Sequence, residues 1–173
     1  ENPLAQMEEV LGLSREKINK LLELYKRNLP DEEKLKVNMA NSIWFKKDET
    51  FKVVEKFLQT NANYYDAAIY EAPFDDTTLK SMNDWVSEET DEMIKDIVDE
   101  IPDDAVMYLI NALSFVAEWD KIYSENEIGE GTFLADDGTT QTVDMMYSIE
   151  NKYIEDGEAK GFIKNYAGGK YAF

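Results

Sequence analysis

Between Ile18 and Leu29 the apolar residues Ile18, Leu21, Leu22, Tyr25 and Leu29 recur at helical spacing. An α-helix turns every ~3.6 residues, so these side chains fall on one face and predict an amphipathic helix that ends at Pro30. Ser14 stands where an N-cap belongs, and Gly12 stops an earlier helical stretch over Gln6 to Leu11. The period then changes. In LKVNMANSIWF, Leu35, Val37, Met39, Ile43 and Phe45 share one face with Asn41, while Lys36, Asn38 and Ser42 share the other with Ala40 and Trp44. This alternation predicts a strand with a more apolar side and a mixed side.

Phe51, Val54, Phe57 and Leu58 predict a short helix, and AAIYEAPF a short strand closed by Pro73. Thr77 or Thr78 is positioned to cap a further helix, with Leu79, Met82 and Val86 on one face beside Trp85. Ile94 and Ile97 predict a second helical turn before the break at Pro102, Asp103 and Asp104. The run VMYLINALSFVAEW carries no charge until Glu118. At strand spacing Leu109, Asn111, Leu113, Phe115, Ala117 and Trp119 form one face, and Ile110, Ala112, Ser114 and Val116 the other. Two nearly apolar faces fit a strand covered on both sides in a large sheet. A helix is the competing reading; the preceding turn signal and the β-branched and aromatic content favour the strand. Asn111 breaks the run. A buried amide must be hydrogen-bonded, which makes it a satisfied structural residue or a functional polar junction.

The remainder alternates around turn dipeptides: Asp137–Gly138, Asp156–Gly157 and Gly168–Gly169 predict antiparallel hairpins. Helices and strands come first and antiparallel strands follow, which is an α+β order without a visible internal domain boundary.

Charge narrows the partners. With 18 Lys and Arg against 37 Asp and Glu, the chain of 173 residues carries a formal charge of −19. Such a field repels phosphate backbones and anionic lipid, so neither nucleic acid nor membrane is an expected partner. No uncharged run approaches the ~20 residues of a membrane span. The start at Glu1 has no signal-like character and is expected to be a processed end or an internal one. Cysteine and histidine are absent, which excludes disulfides, thiol nucleophiles and His-assisted serine chemistry. No metal, cofactor or catalytic residue is expected. The acidic pairs Asp75–Asp76, Asp103–Asp104 and Asp136–Asp137 read as turn residues, not the opposed carboxylates of glycoside hydrolysis. ADDGTTQT lacks the ligand spacing of a calcium loop. Arg15, Lys17, Lys20, Lys26 and Arg27 alternate with Glu16 and Glu23 as on an ordinary solvated helix face. Met145, Met146 and Tyr147 read as core.

The order of segments resembles the serpin family. LINALSFVAEWDKIY is similar to that family's Asn-Ala-x-x-Phe-x-x-x-Trp segment, and LKVNMANSIWFKKD to the strand before it. FLQTNANYYDAAIYEAPF resembles its next helix and strand, MNDWVSEETDEMIKDIV its long helix before the main sheet, and GTFLADDGTTQTVDMMY its Gly-x-Phe to Met-Met-Tyr pair. All five stand in family order. Three local departures accompany them: VAEW lacks the usual Lys-Gly, ETDEMI lacks a glycine after the threonine, and Asp144 replaces a proline.

The resemblance implies helices packed on a large, mainly antiparallel sheet, with the start of further antiparallel sheets. It implies a single partial serpin domain over 1–173, with first helices before Glu1 and the reactive loop and last strands after Phe173. It also implies a non-catalytic inhibitor. A target protease, of the serine class or in some cases the cysteine class, cleaves the loop and is trapped as an acyl-enzyme when the loop inserts into the main sheet. A non-inhibitory binding or carrier protein of the same fold is the alternative. Asn111, Phe115 and Trp119 would sit where the sheet parts. An extracellular or cell-surface location is implied by the family alone. Taken alone, the segment is expected to self-associate through an unpaired apolar edge over Ala105–Trp119.

Overall fold

The computed structural model describes residues 2–173, which form two compact units. The larger comprises residues up to Glu32 together with Lys36–Phe115, and the smaller Glu33–Leu35 together with Val116–Phe173.

In the larger unit, helix α1 (Pro3–Leu11) opens with proline at its first position and ends on Gly12 at φ 68°, a left-handed conformation that costs glycine little. Helix α2 (Arg15–Arg27) follows Ser14 as expected. Its apolar stripe is not buried, however: Leu21, Leu22 and Tyr25 are exposed, and the buried residue is Asn19, whose Oδ1 accepts a 2.7 Å bond from the Tyr65 hydroxyl. The amphipathic pattern therefore marks the helix but not the face this unit covers.

A two-residue strand β1 (Asp31–Glu32) leads to β2 (Leu35–Lys46). Helix α3 (Glu55–Tyr65) connects β2 to β3 (Ala67–Ala72), which pairs parallel with β2 from Asn41↔Ala67 to Lys46↔Ala72. Parallel neighbours require such a crossover. The helix starts after Phe51 and Val54, later than the apolar spacing suggested, and runs on to Tyr65.

Helix α4 (Asp76–Glu89) is capped by Asp75, not by Thr77 or Thr78. The Asp75 carboxylate accepts from the backbone N–H groups of both threonines at 3.0 and 3.1 Å, and the Thr77 hydroxyl also donates to it. These bonds, the Thr77 hydroxyl first among them, hold the Asp75 carboxyl below its usual range. The expected second helical turn around Ile94 and Ile97 is absent. Asp91 and Glu92 adopt φ 51° and 62°, where the chain leaves the helix in the segment that lacks the family's glycine. Beyond them the Asn83 side chain accepts from the Ile97 and Val98 N–H groups and donates to the Val98 carbonyl. Those backbone groups are thus satisfied without a helix.

Strand β4 (Met107–Ala117) returns antiparallel to β2, with Lys46 N–H bonded to the Val106 carbonyl at one end and Glu118 N–H to the Lys34 carbonyl at the other. One sheet face meets α4. Ala40 and Trp44 of β2, Ala72 of β3 and Ile110 and Ala112 of β4 pack with Met82, Trp85 and Val86 of α4. Met82 and Val86 have no exposed surface. The mixed side of β2 is thus the one against α4, because Trp44 supplies its bulk.

Within this chain the opposite face is left uncovered along β4. Leu109, Leu113 and Phe115 are exposed, as is Asn111. On that side Ile43 is buried and borders a cleft with Asn61 and Tyr65 of α3.

In the smaller unit, β5 (Ile128–Leu134) and β6 (Thr140–Met146) form an antiparallel hairpin whose turn carries Gly138 at φ 82°. A shorter hairpin joins β7 (Tyr153–Glu155) to β8 (Lys160–Phe162). Gly168 and Gly169 make the last turn, closed by the bridge Asn165↔Ala172. Met146 and Tyr147 are exposed here, so the core reading of that patch does not hold within this unit.

Candidate functional site: a polar junction in the sheet

The three positions singled out along the uncharged run do not lie in one unit. Asn111 and Phe115 belong to the larger and Trp119 to the smaller.

Asn111 finds its partner directly across the sheet. Its amide nitrogen donates to Asn41 Oδ1 at 2.8 Å. Asn41 passes the chain of bonds on, donating to the Tyr65 carbonyl at 2.9 Å, and the Tyr65 hydroxyl bonds Asn19. Lys26 Nζ also reaches that carbonyl at 3.3 Å and pairs with Asp66 at 3.0 Å. Side chains of β4, β2, α3 and α2 are therefore joined by one polar route. The residues Asn41, Ile43, Tyr65, Leu109 and Asn111 border a cleft of about 200 Å³. Leucine at 111 could form none of these bonds. Phe115 lies on the same face as Asn111 and is partly exposed.

The Asn41–Asn111 bond ties β4 to β2. Among the described residues, β2 is the strand partner of β4. A strand with one partnered edge can accept another strand on the second edge.

Trp119 follows the last residues of β4. Its ring stacks on Tyr166 with centroids 4.5 Å apart and meets Phe173 edge-on at 6.4 Å. The Trp119↔Tyr166 bridge, the Asp120 N–H to Asn165 carbonyl bond and the Ala167 N–H to Glu118 carbonyl bond hold the segment. Sequence reasoning singled out Asn111 and Trp119 but missed their partners Asn41 and Tyr166. The alternation in LKVNMANSIWF placed Asn41 on a strand face, but pairing register is not encoded in the period.

Beside Trp119, Ser124 and Glu127 make a reciprocal cap on the short 3-10 turn Glu125–Glu127. Glu127 Oε2 accepts from the Ser124 N–H and hydroxyl, both at 2.9 Å, and Oε1 pairs with Lys121 at 3.0 Å. The Ser124 backbone bond is the main cause, with Lys121 next, of a Glu127 pKa lowered to about 2. The folded value lies below the ordinary carboxylate one, so this contribution is complete above about pH 4.5 and is lost as pH falls towards 2. A carboxylate titration by NMR should find Glu127 titrating near pH 2, and Glu127→Gln should make unfolding less pH-dependent over that interval. A Glu127 midpoint at or above 4 would remove the cap from the account.

No helix among the described residues is long and apolar enough to cross a membrane, and none of their acidic groups cluster as a metal site.

A large sheet carrying one helix across its face, followed by antiparallel hairpins, defines an α+β domain of serpin architecture. The family model described as "Serpin (serine protease inhibitor)" matches residues 1–164, and the chain belongs to that family. It is 34% identical over 125 residues to alpha-1-antitrypsin of Sus scrofa, covering 71% of this chain and 29% of that protein. The thermophilic serpin tengpin in its latent state matches with TM-score 0.90 and 45% identity, over 99% of this chain and 47% of that one. Tengpin in its native state matches with the same TM-score and identity, over 98% and 44%. The chain thus spans about half the length of these solved serpins and less than a third of the porcine protein. Serpins are protease inhibitors as a family, not catalysts of turnover.

Proposed function

We propose that this chain contributes the opening sheet of an inhibitor that traps serine proteases as acyl-enzymes. The observation that carries the reading is the pairing of β4. One edge is fastened to β2 through Asn111 and Asn41, and β2 is its strand partner among the described residues. Family membership and 34% identity to an alpha-1-antitrypsin support it.

In this reading the protease nucleophile attacks a peptide bond of a loop that the family resemblance places beyond these residues. An ester forms, the amine end leaves, and the freed loop enters the sheet as a new strand. The driving force is conformational: the uncleaved fold is metastable, and insertion completes the sheet. Asn111, Phe115 and Trp119 mark the strand that yields. Taken without its downstream neighbours, the segment would self-associate through the free edge of β4.

The test mixes the intact protein with trypsin-like, chymotrypsin-like and elastase-like proteases and resolves the products on a denaturing gel. A band at the summed mass that survives SDS is the expected result. Cleavage by all three without that band would overturn the reading in favour of a non-inhibitory serpin-fold binding protein.

A further inference from the structure

One charged side chain among the described residues is buried: Lys164, at 5% exposure. Lysine is almost never enclosed unless paired. Its Nζ lies 2.6 Å from Glu150 Oε1, 4.4 Å from the centre of the Tyr123 ring and 5.5 Å from that of Trp119. The Ser148 hydroxyl donates to the same Glu150 oxygen at 2.8 Å and lies 3.3 Å from the Tyr123 hydroxyl. No buried side-chain polar atom among the described residues lacks a partner. The Glu150 bond raises the Lys164 pKa, and the Lys164 bond, with Ser148 behind it, lowers that of Glu150. Both groups are therefore charged at neutral pH.

A buried ion pair is a poor way to add stability, because desolvating both charges offsets much of their attraction, and apolar residues of similar volume often do as well. What such a pair does well is fix one arrangement over others. Here it fixes three stretches of chain at once. Trp119 and Tyr123 lie over the ammonium. Ser148 and Glu150 approach from the segment after β6. Lys164 exchanges backbone bonds with Phe173, both at 2.8 Å, and its neighbour Asn165 takes the Asp120 N–H. The stretch grasped from both sides, Glu118–Asp120, is the continuation of β4.

We propose that Lys164 and Glu150 are positioning residues, a latch whose ion pair clasps the Trp119 segment and sets how readily the end of β4 gives way. The ammonium beneath two aromatic rings holds Trp119 by cation–π attraction, while Glu150 keeps the ammonium in place. The pair is asymmetric in consequence. Loss of Lys164 leaves Glu150 with the Ser148 hydroxyl and Trp119 with its contacts to Tyr166 and Phe173, and removes the cation from beneath the rings. Loss of Glu150 leaves a buried cation whose remaining anchors are the rings. This proposal rests on the inhibitory reading for its effect on loop insertion, but the clasp on Trp119 stands independently.

The experiment uses the intact protein labelled with 5-fluorotryptophan, with the Trp119 resonance assigned through Trp119→Phe. Three variants are compared with wild type: Lys164→Met, Glu150→Gln, and the reversed pair Lys164→Glu with Glu150→Lys. Insertion is followed as the rate at which a synthetic peptide copying the protein's own reactive loop anneals to it. Lys164→Met should shift and broaden the Trp119 signal and raise the annealing rate about fivefold. Glu150→Gln should do so less, and the reversed pair, which keeps two opposite charges but sets a carboxylate against the ring faces, should stay as fast as Lys164→Met. A purely structural pair would lower the melting temperature of all three variants with the Trp119 signal and annealing rate unchanged, and that result would overturn the latch. If wild type neither anneals peptide nor traps protease, the inhibitory reading fails, and an unshifted Trp119 resonance in Lys164→Met then overturns the latch separately.

Discussion

Replacing Trp44 with alanine should destabilise the larger unit by about 3–5 kcal/mol. The indole is 5% exposed, lies flat on Tyr70 with ring centroids 4.1 Å apart, and donates from Nε1 to the Ser42 hydroxyl at 2.9 Å. It sits in the layer where β2, β3 and β4 meet α4, so its removal opens a cavity among Ala40, Met82, Trp85 and Ile110. Alanine neighbours cannot swell to fill it, and Trp85 cannot move without disturbing its own helix. Domains are stabilised by only about 5–15 kcal/mol in all, so the variant should lose from about a fifth to all of its margin. Urea unfolding of the intact protein measures this directly. Trp44→Phe retains the ring stack and loses the N–H bond and some bulk, and should fall between the two. A loss under about 1 kcal/mol in Trp44→Ala would mean that α4 does not press on this face as described.

The second large effect concerns opening and not stability alone. Asn111→Leu should speed peptide annealing, or spontaneous loop insertion, by between about twofold and tenfold. The substitution keeps a side chain of similar size but removes the donor to Asn41 Oδ1. A net hydrogen bond contributes roughly 0.5–1.5 kcal/mol, and about 1.4 kcal/mol corresponds to tenfold. The bond straddles the strand pair, so its loss should lower the barrier to parting more than it perturbs either strand. Asn41→Leu should act in the same direction with an added defect, because it also removes the shorter of two bonds to the Tyr65 carbonyl. The decisive comparison is the double variant. If the two asparagines act through each other, the combined effect falls short of the sum by about 1 kcal/mol. Additive effects would show that the contact carries no coupling, and the junction would have to be abandoned as the element that resists opening.

Both predictions turn on positions whose chemical character was legible in the chain and whose surroundings were not. The run from Val106 to Trp119 declared a strand by its period, and β4 occupies Met107–Ala117. The same run suggested cover on both sides, whereas within this chain Leu109, Asn111 and Leu113 are exposed and Ile110, Ala112 and Ser114 are buried. Hydropathy records what a residue would prefer, and it cannot say which neighbouring element supplies the cover. The stripe on α2 teaches the same lesson, with exposed leucines beside a buried Asn19. At the start of α4 the error was smaller. Asp75, Thr77 and Thr78 are all good caps, and the choice fell to the residue whose carboxylate reaches two N–H groups at once. The missing turn at Ile94 has a different cause, because Asn83 satisfies the Ile97 and Val98 backbone from fourteen and fifteen residues away.

By itself the sequence determined the kinds and order of most elements, the hairpin turns at Gly138, Gly157 and Gly168, and the family. These follow from local backbone preference, side-chain period and segment order, which need no knowledge of distant neighbours. Only the tertiary structure decided that Asn111 meets Asn41, that α4 covers the Trp44 side of the sheet, and that Lys164 is enclosed with Glu150. Each of those depends on register and on which surfaces meet. Contacts between residues 70 or 14 positions apart are fixed by the packing of whole elements and leave no periodic trace in the chain.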